Sequence, residues 1–300
     1  MKDLEDKKLS DLLDCIHVSS EVKAMGEELR DPIFGEVRGR IRRASRRTLR
    51  MRIAVAAASV ALVLGLTGYF SYQEGYRQQK NQLVEMMNPL GMKSSVILPD
   101  GSKVLLNAGT VLRYPSAFVS GKREVEVDGE AFFEVTHDAG KQFVVKSGEI
   151  SVKVFGTLFN VKSYKEDPTV EITLVEGKVG VGLLENPDLV YIHPEYQFTF
   201  EKGSNKYVVH KVDIDQYTGW RDGKFHFRNL KLAEIVKQLE RSFNVKIHIA
   251  SDCLKNTLFT GDFVNGENIN QILRVMTADR RMNYRMEKDQ IYIEESKELK

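Results

Sequence analysis

Three hundred residues leave room for about two globular domains besides a membrane anchor. The formal net charge is only +2 and its positive excess sits in one Arg-rich stretch, so composition gives no reason to expect an acidic partner for the rest of the chain. Two cysteines, Cys15 and Cys253, are too few for a disulfide framework.

Residues 1–50 read as a polar segment with a helical pattern. Leu9, Leu12, Leu13 and Ile16 recur at i, i+3, i+4 and i+7, gathering one apolar stripe on a helix otherwise covered by Asp and Lys. A second helix is predicted to start with Asp31 as N-cap and Pro32 at its first position, carrying Ile33, Val37 and Ile41 on one side. Two short amphipathic helices bury too little surface to be stable alone. They either pack on each other as a hairpin or wrap another protein and fold as they bind. Cys15 lies beside the stripe as a small apolar residue.

From Ile53 to Phe70 the sequence IAVAAASVALVLGLTGYF holds no charge. As a helix it spans roughly 27 Å, close to a hydrocarbon core of about 30 Å, so residues 51–72 are predicted to cross a membrane once. Arg38, Arg40, Arg42, Arg43, Arg46, Arg47, Arg50 and Arg52 precede the span without an acidic residue among them, whereas Glu74, Arg77 and Lys80 follow it. Positive charge stays on the cytoplasmic side, which places the N-terminus inside and everything after Tyr72 outside. Cys15 and Cys253 then lie on opposite sides and cannot pair. Tyr69, Phe70 and Tyr72 suit an aromatic anchor at the outer interface. Because the basic cluster abuts the span, anionic headgroups rather than nucleic acid are its expected contact. Some fifty residues precede the apolar run and no small-x-small site follows it, so it reads as a retained anchor and not as a cleaved signal. Ala54, Ala56, Ala57, Ala58, Ala61, Gly65 and Gly68 suit either helix association or cleavage.

Residues 73–92 are polar and then broken by Pro89 and Gly91, as in a short helix or tether. The period changes over residues 93–213, where alternating runs separated by turn residues predict an antiparallel all-β sandwich or roll. Val96 and Leu98 lead through Pro99, Asp100 and Gly101 to Val104 and Leu106. Val125 and Val127 are followed by a turn at Asp128 and Gly129, then by Phe133 and Val135. Phe143 with Val145, Ile150 with Val152 and Val154, and Phe159 with Val161 repeat the alternation. Val170, Ile172 and Leu174 reach Gly177 and return as a hairpin through Val179 and Val181. Phe198 and Phe200 pair with Tyr207 and Val209 across Gly203, Ser204 and Asn205.

Four stretches in this region, LPDGSKVLLNAGT (Leu98 to Thr110), DGEAFFEV (Asp128 to Val135), FGTLFNVKSY (Phe155 to Tyr164) and LVEGKV (Leu174 to Val179), resemble in order and spacing the motifs of the FecR-like family of anti-sigma regulators. Read as residues, the same motifs are structural. Asp100 belongs to a turn, Gly101, Gly129, Gly156 and Gly177 sit where turns need backbone freedom, Asn107 can satisfy backbone groups at a strand end, and Phe133 and Phe159 belong to a core. Thr157 lies within the third motif. Glu130 and Glu134 alternate with apolar neighbours as on a solvated strand face.

Asp213 to Arg221 connects to a last unit, residues 221–296. Trp220 matches an aromatic position in Bacteroides-type members of the family and is expected to pin the connector by burying its ring. A strand at Phe225 and Phe227, a helix at Leu232, Ile235, Val236 and Leu239, and a strand at Val245, Ile247 and Ile249 come first. Phe259 and Phe263, then Ile269, Ile272, Leu273 and Met276, then Tyr284 and Met286 turning into Ile291 and Ile293 repeat the pattern. Two βαβ-like halves are predicted, in a small α+β docking domain similar to the short N-terminal domain of secretins and TonB-dependent transducers. The fold class is therefore mixed: a short helical segment, one transmembrane helix, an all-β domain and an α+β domain.

His17, His137, His193, His210, His226 and His248 are scattered and never fall at metal-ligand spacing, and each is expected on a surface strand. No GxSxG elbow, Walker loop or strand-borne GxGxxG is present, and Ala139-Gly140-Lys141 lacks what a phosphate loop needs. The expectation is no enzyme, no cofactor, no small-molecule substrate and no direct contact with nucleic acid. The resemblance implies a single-pass inner-membrane anti-sigma factor with its N-terminus in the cytoplasm and its C-terminus in the periplasm. It would hold an extracytoplasmic-function sigma factor and receive a signal from a TonB-dependent outer-membrane transducer. Leu9, Leu12, Leu13, Ile16, Ile33, Phe34, Val37 and Ile41 are the candidate sigma contacts, Phe34 being the aromatic nearest to where family members often carry a Trp. Arg42, Arg43, Arg46, Arg47, Arg50 and Arg52 would fix topology. A rival reading is an anchored envelope scaffold with no role in transcription.

Overall fold

A computed structural model of the protein describes residues 47, 49–73, 75, 82–119, 121–183, 188–204, 206–278, 280–288 and 290–296. The chain divides into two units, Met1–Gly75 and Tyr76–Lys300. In the first, helix α1 (Leu49–Gln73) is long and apolar enough to cross a membrane, and its side chains from Leu49 to Tyr72 are all exposed. A helix whose whole circumference is apolar and uncovered needs an apolar surrounding. Arg50 and Arg52 stand exposed in its first turn, with Arg47 just before it.

The second unit opens with β1 (Leu83–Met87), β2 (Ser94–Ile97), β3 (Lys103–Leu106), β4 (Val111–Pro115) and β5 (Lys122–Glu134), continues through β6 (Gln142–Ser147), β7 (Ile150–Val154), β8 (Leu158–Ser163) and β9 (Thr169–Glu176), and closes with β10 (Val179–Leu183), β11 (Val190–Ile192), β12 (Tyr196–Glu201) and β13 (Lys206–Lys211). These form one continuous sheet in the order β11-β10-β7-β6-β5-β8-β9-β12-β13, with β4 and β3 also on β5, β1 on β4 and β2 on β3.

Strand β5 is the spine. Its first half pairs with β4 and β6, its second half with β3 and β8, so one strand belongs to two facing layers. Val125, Val127, Ala131 and Phe133 from it, and Val135 just past its end, join a single apolar core with Phe143, Phe159, Ile172 and Phe200. Phe133 stacks on Phe159 with centroids 5.1 Å apart.

Four expectations need correction. Part of the presumed tether is strand β1, paired with β4. The β5–β6 pair is parallel, so the domain is not wholly antiparallel. No turn occurs at Asp128 and Gly129: β5 runs straight through, Gly129 adopting φ 125°. Nor do β9 and β10 form a hairpin. The turn at Gly177 instead carries the chain between layers, β9 pairing with β8 and β12 and β10 with β7 and β11. The β12–β13 hairpin forms as expected, with Phe198 opposite Val209 and Phe200 opposite Tyr207.

A connector of helix α2 (Ile214–Thr218) and a 3-10 turn (Gly219–Asp222) leads to the last module. Its elements are β14 (Phe225–Lys231), α3 (Leu232–Phe243), β15 (Lys246–Ile249), α4 (Asp252–Lys255), β16 (Leu258–Phe263), α5 (Ile269–Met276), β17 (Met282–Glu287) and β18 (Gln290–Glu295). Helix α5 begins at a capping box of Asn268 and Gln271, and α3 ends at Asn244 in the left-handed region. The strands do not make two βαβ halves. β14 pairs antiparallel with β16, and β15 pairs parallel with β18, which pairs with β17, so the two halves interleave. Phe227, Leu232, Ile235, Leu239, Ile272, Leu273, Ile291 and Ile293 fill a core of their own.

Candidate functional site

The outward face of β5, β8, β9 and β12 carries two polar rows set by register. Glu130 lies opposite Lys162, Lys162 opposite Glu171, and Glu171 opposite Thr199. Alongside, Phe132 lies opposite Asn160, Asn160 opposite Thr173, and Thr173 opposite Gln197. The connector and α3 cover this face, leaving a cleft of about 400 Å³ lined by Glu130, Lys162, Tyr164, Glu171, Trp220 and Arg241 among others.

Glu130, expected on a solvated face, is therefore buried. Its carboxylate accepts from Asn107 Nδ2 at 2.8 Å and from Asn160 Nδ2 at 3.0 Å. Burial pushes the carboxyl above its usual range, against the Lys162 charge and the two asparagine hydrogen bonds. Burial would lower Lys162, but the facing Glu171 and Glu130 outweigh it and hold the ammonium above its usual range. Asn160 is a relay: its Oδ1 accepts from Trp220 Nε1 at 3.1 Å. Trp220 is half-buried, so the expected burial of its ring is joined by a directed hydrogen bond to the sheet. Its carbonyl accepts from Lys93 Nζ. Burial holds that ammonium below its usual range, against Asp222 and Glu130. Arg221 lies over the Phe132 ring, 3.9 Å from its centroid.

A second contact sits at the turn between β8 and β9. Arg241 on α3 donates to Asp167 at 3.1 Å and to Glu166 at 3.0 Å, and stacks 3.8 Å from the centroid of Tyr164, whose hydroxyl donates to the Ala108 carbonyl. Lys237 joins Asp167 at 3.3 Å. Gly91 N donates to the Arg241 carbonyl, closing the contact from the other side.

Burial would raise Asp167, but the hydrogen bonds and charge of Arg241 outweigh it and hold the carboxyl below its usual 3.8. The pair thus adds stability that is complete above that value and is lost as pH falls through the depressed one. Glu130 works in the opposite sense: its raised carboxyl favours the fold most when protonated, and that contribution disappears as pH rises through the folded value. Arg241→Met is expected to destabilise the folded unit by about 2 kcal/mol at neutral pH and to flatten the acid limb of its unfolding midpoint below about pH 4. Thermal unfolding of the intact chain from about pH 3 to about pH 8 measures both; an acid limb as steep in the variant would remove Asp167 from the account.

Of the remaining motif residues, Asn107 lines the cleft beside Glu130 and the others do not. Asp100 pairs with the buried Arg123 at 2.8 Å and accepts from Ser102, with Gly101 beside it at φ 82°. Gly129 abuts Thr110, Gly156 abuts His137, and Gly177 abuts Gly156 and Thr157. Thr157 donates to the Lys178 carbonyl. Asn107 Oδ1 accepts from Ala108 N, as expected at a strand end, while its amide serves Glu130. His137, His193, His210 and His248 are exposed; His226 is half-buried, its Nδ1 2.7 Å from Asp262. Among the described residues no group of three His, Cys, Asp or Glu side chains could hold a metal ion. The candidate contacts Leu9, Leu12, Leu13, Ile16, Ile33, Phe34, Val37 and Ile41, with Arg42, Arg43 and Arg46, lie outside the described residues. Asn160, Lys162, Tyr164, Asp167 and Arg241 were not singled out from sequence. Asn and Lys alternating with Phe159 and Val161 on a strand were the available signal.

Residues 90–180 match the family described as FecR protein, and residues 224–293 the family described as FecR, C-terminal. Two crystal structures of an inferred anti-sigma factor from Parabacteroides distasonis, at 1.65 and 2.50 Å resolution, are 31% identical in sequence to this chain and superpose with TM-scores of 0.66 and 0.67. The first match covers 71% of this chain and 99% of the crystallised one, the second 72% and 100%. No curated protein matches the chain.

Proposed function

Because the chain belongs to the FecR family of anti-sigma factors, we propose that it is a single-pass inner-membrane regulator that sequesters an extracytoplasmic-function sigma factor on the cytoplasmic side. Its far side would receive the signal from a TonB-dependent outer-membrane transducer. The observation that carries the reading is α1, uncharged from Ile53 to Phe70 and uncovered along its length, with a run of eight arginines before it against Glu74, Arg77 and Lys80 after it. That asymmetry favours a cytoplasmic N-terminus and separates the apolar stripes of residues 1–50 from the two folded modules. Sequestration follows if Leu9, Leu12, Leu13, Ile16, Ile33, Phe34, Val37 and Ile41 cover sigma-factor surfaces that RNA polymerase needs. Release requires that the outer event change the availability of this segment. The α+β module is the natural receiver, since its two small sheets leave strand edges that a partner strand can join. The Arg-flanked span implies contact with anionic lipid headgroups and none with nucleic acid.

Two measurements test this together. Alkaline phosphatase fused after Lys300 is expected to be active and β-galactosidase at the same place inactive. The intact chain, purified from membranes, is expected to retain a sigma factor, and deletion of Leu4 to Ile41 to weaken that retention by about tenfold or more. A cytoplasmic C-terminus overturns the topology. Undiminished sigma binding, or none in the intact chain, overturns sequestration, and an envelope phenotype that survives the deletion would favour the scaffold.

A further inference from the structure

The β domain and the α+β module each bury a complete apolar core, and the two cores share no residue. What joins them is polar: the chain of hydrogen bonds from Trp220 through Asn160 to Glu130, the Lys93 contact to the Trp220 carbonyl, and the grip of Arg241 and Lys237 on Glu166 and Asp167. Separating such a junction exposes groups that water can solvate and leaves both cores intact, and the cleft shows that the two faces are not close-packed. The neutral hydrogen bonds among these contribute little net free energy apiece, because water replaces them when they open, and the Arg241–Asp167 pair contributes more.

We propose that Glu130, Asn160 and Trp220, together with the Arg241–Asp167 pair, form a releasable latch, and that undocking of the C-terminal module is the switch by which an event at that module reaches the β domain. The register explains why the latch is specific. Asn160 gives its Nδ2 to the carboxylate and its Oδ1 to the indole, while Arg221 of the same connector lies over Phe132, the neighbour of Asn160 across the sheet. The connector thus meets the sheet through two adjacent side chains, Trp220 and Arg221. The latch stands independently of the signalling role; its use as a switch rests on that role.

Trp220 is the only tryptophan of the chain, so its emission reports the latch without labelling. In the full-length protein in nanodiscs, Asn160→Leu and Arg241→Met are each expected to raise acrylamide quenching of Trp220 about threefold and to speed tryptic cleavage after Arg221 and Lys224 about tenfold, with cooperative unfolding retained. Should Asn160→Leu fail to fold, Arg241→Met, whose side chain lies outside both cores, decides alone. Folded variants in which quenching and cleavage match the parent overturn the latch. A sigma-dependent transcriptional reporter reads the second half: open variants are expected to shift its uninduced level several-fold. Opening without any shift overturns the switch while sequestration stands. An intact chain that binds no sigma factor removes the signalling role and the switch together, and quenching still decides the latch.

Discussion

Replacing Asp100 by alanine is expected to destabilise the β domain by about 3–5 kcal/mol, because it strands the charge of Arg123 in the interior. The Arg123 side chain is 2% exposed, and its guanidinium donates to Asp100 at 2.8 Å and to the carbonyls of Thr136 and Lys141. The carbonyls satisfy hydrogen bonds but supply no countercharge. Asp100 also accepts from the backbone and hydroxyl of Ser102, so the turn loses its internal tie as well. Adding Arg123→Met to Asp100→Ala is expected to recover more than half of the loss, since an apolar chain of similar length leaves no uncompensated charge. Denaturant unfolding of the four variants of that cycle measures it. Equal losses in the single and double variants would mean that the turn, and not the stranded charge, dominates.

Gly129→Ala is the second large effect, expected at about 3 kcal/mol or more. The residue sits within β5 at φ 125°, where side chains are strained, and a Cβ there would lie 2.6 Å from Thr110 Oγ1 and 2.7 Å from Thr110 Cα. The β3–β4 loop and β5 meet this closely where Thr110 and Glu130 exchange hydrogen bonds, Thr110 Oγ1 donating to the Glu130 carbonyl and accepting from Glu130 N. Trimming the threonine with Thr110→Ala does not rescue the variant, because the Cα is itself in the way. A loss under about 1 kcal/mol, read from the same unfolding measurement, would show that β5 can slide away from Thr110.

These two sites mark where sequence reading reached and where it stopped. Helix α1 was legible because an uncharged run of that length has few other uses. The β12–β13 hairpin was legible because alternation and a turn at Gly203 agree on one local register. Asp128-Gly129 looks like a turn by the same rule, yet Gly is there for close approach to Thr110, a β3–β4 loop residue that sequence does not place beside it. Likewise Gly177 reads as a hairpin turn, but a period of two says which face a residue takes and nothing about which strand lies alongside. Partners separated by the spine strand are non-local and leave no mark in the pattern. The same gap hid the polar rows. Glu130 alternates with Ala131 and Phe133 as a wet face does, and only the docked connector makes it dry. Three strands carrying Glu130, Lys162 and Glu171 in matching phase were visible in sequence, but their alignment into one row was not.

The interleaved pairing of the last module bears on how it is made. β14 waits for β16, and β15 has no partner until β18, whose final residue is Glu295, has left the ribosome. Neither half has a complete sheet of its own, so the module forms as one unit. Loss of β18 would leave both β15 and β17 without a strand partner, so damage at that one strand is felt across the module.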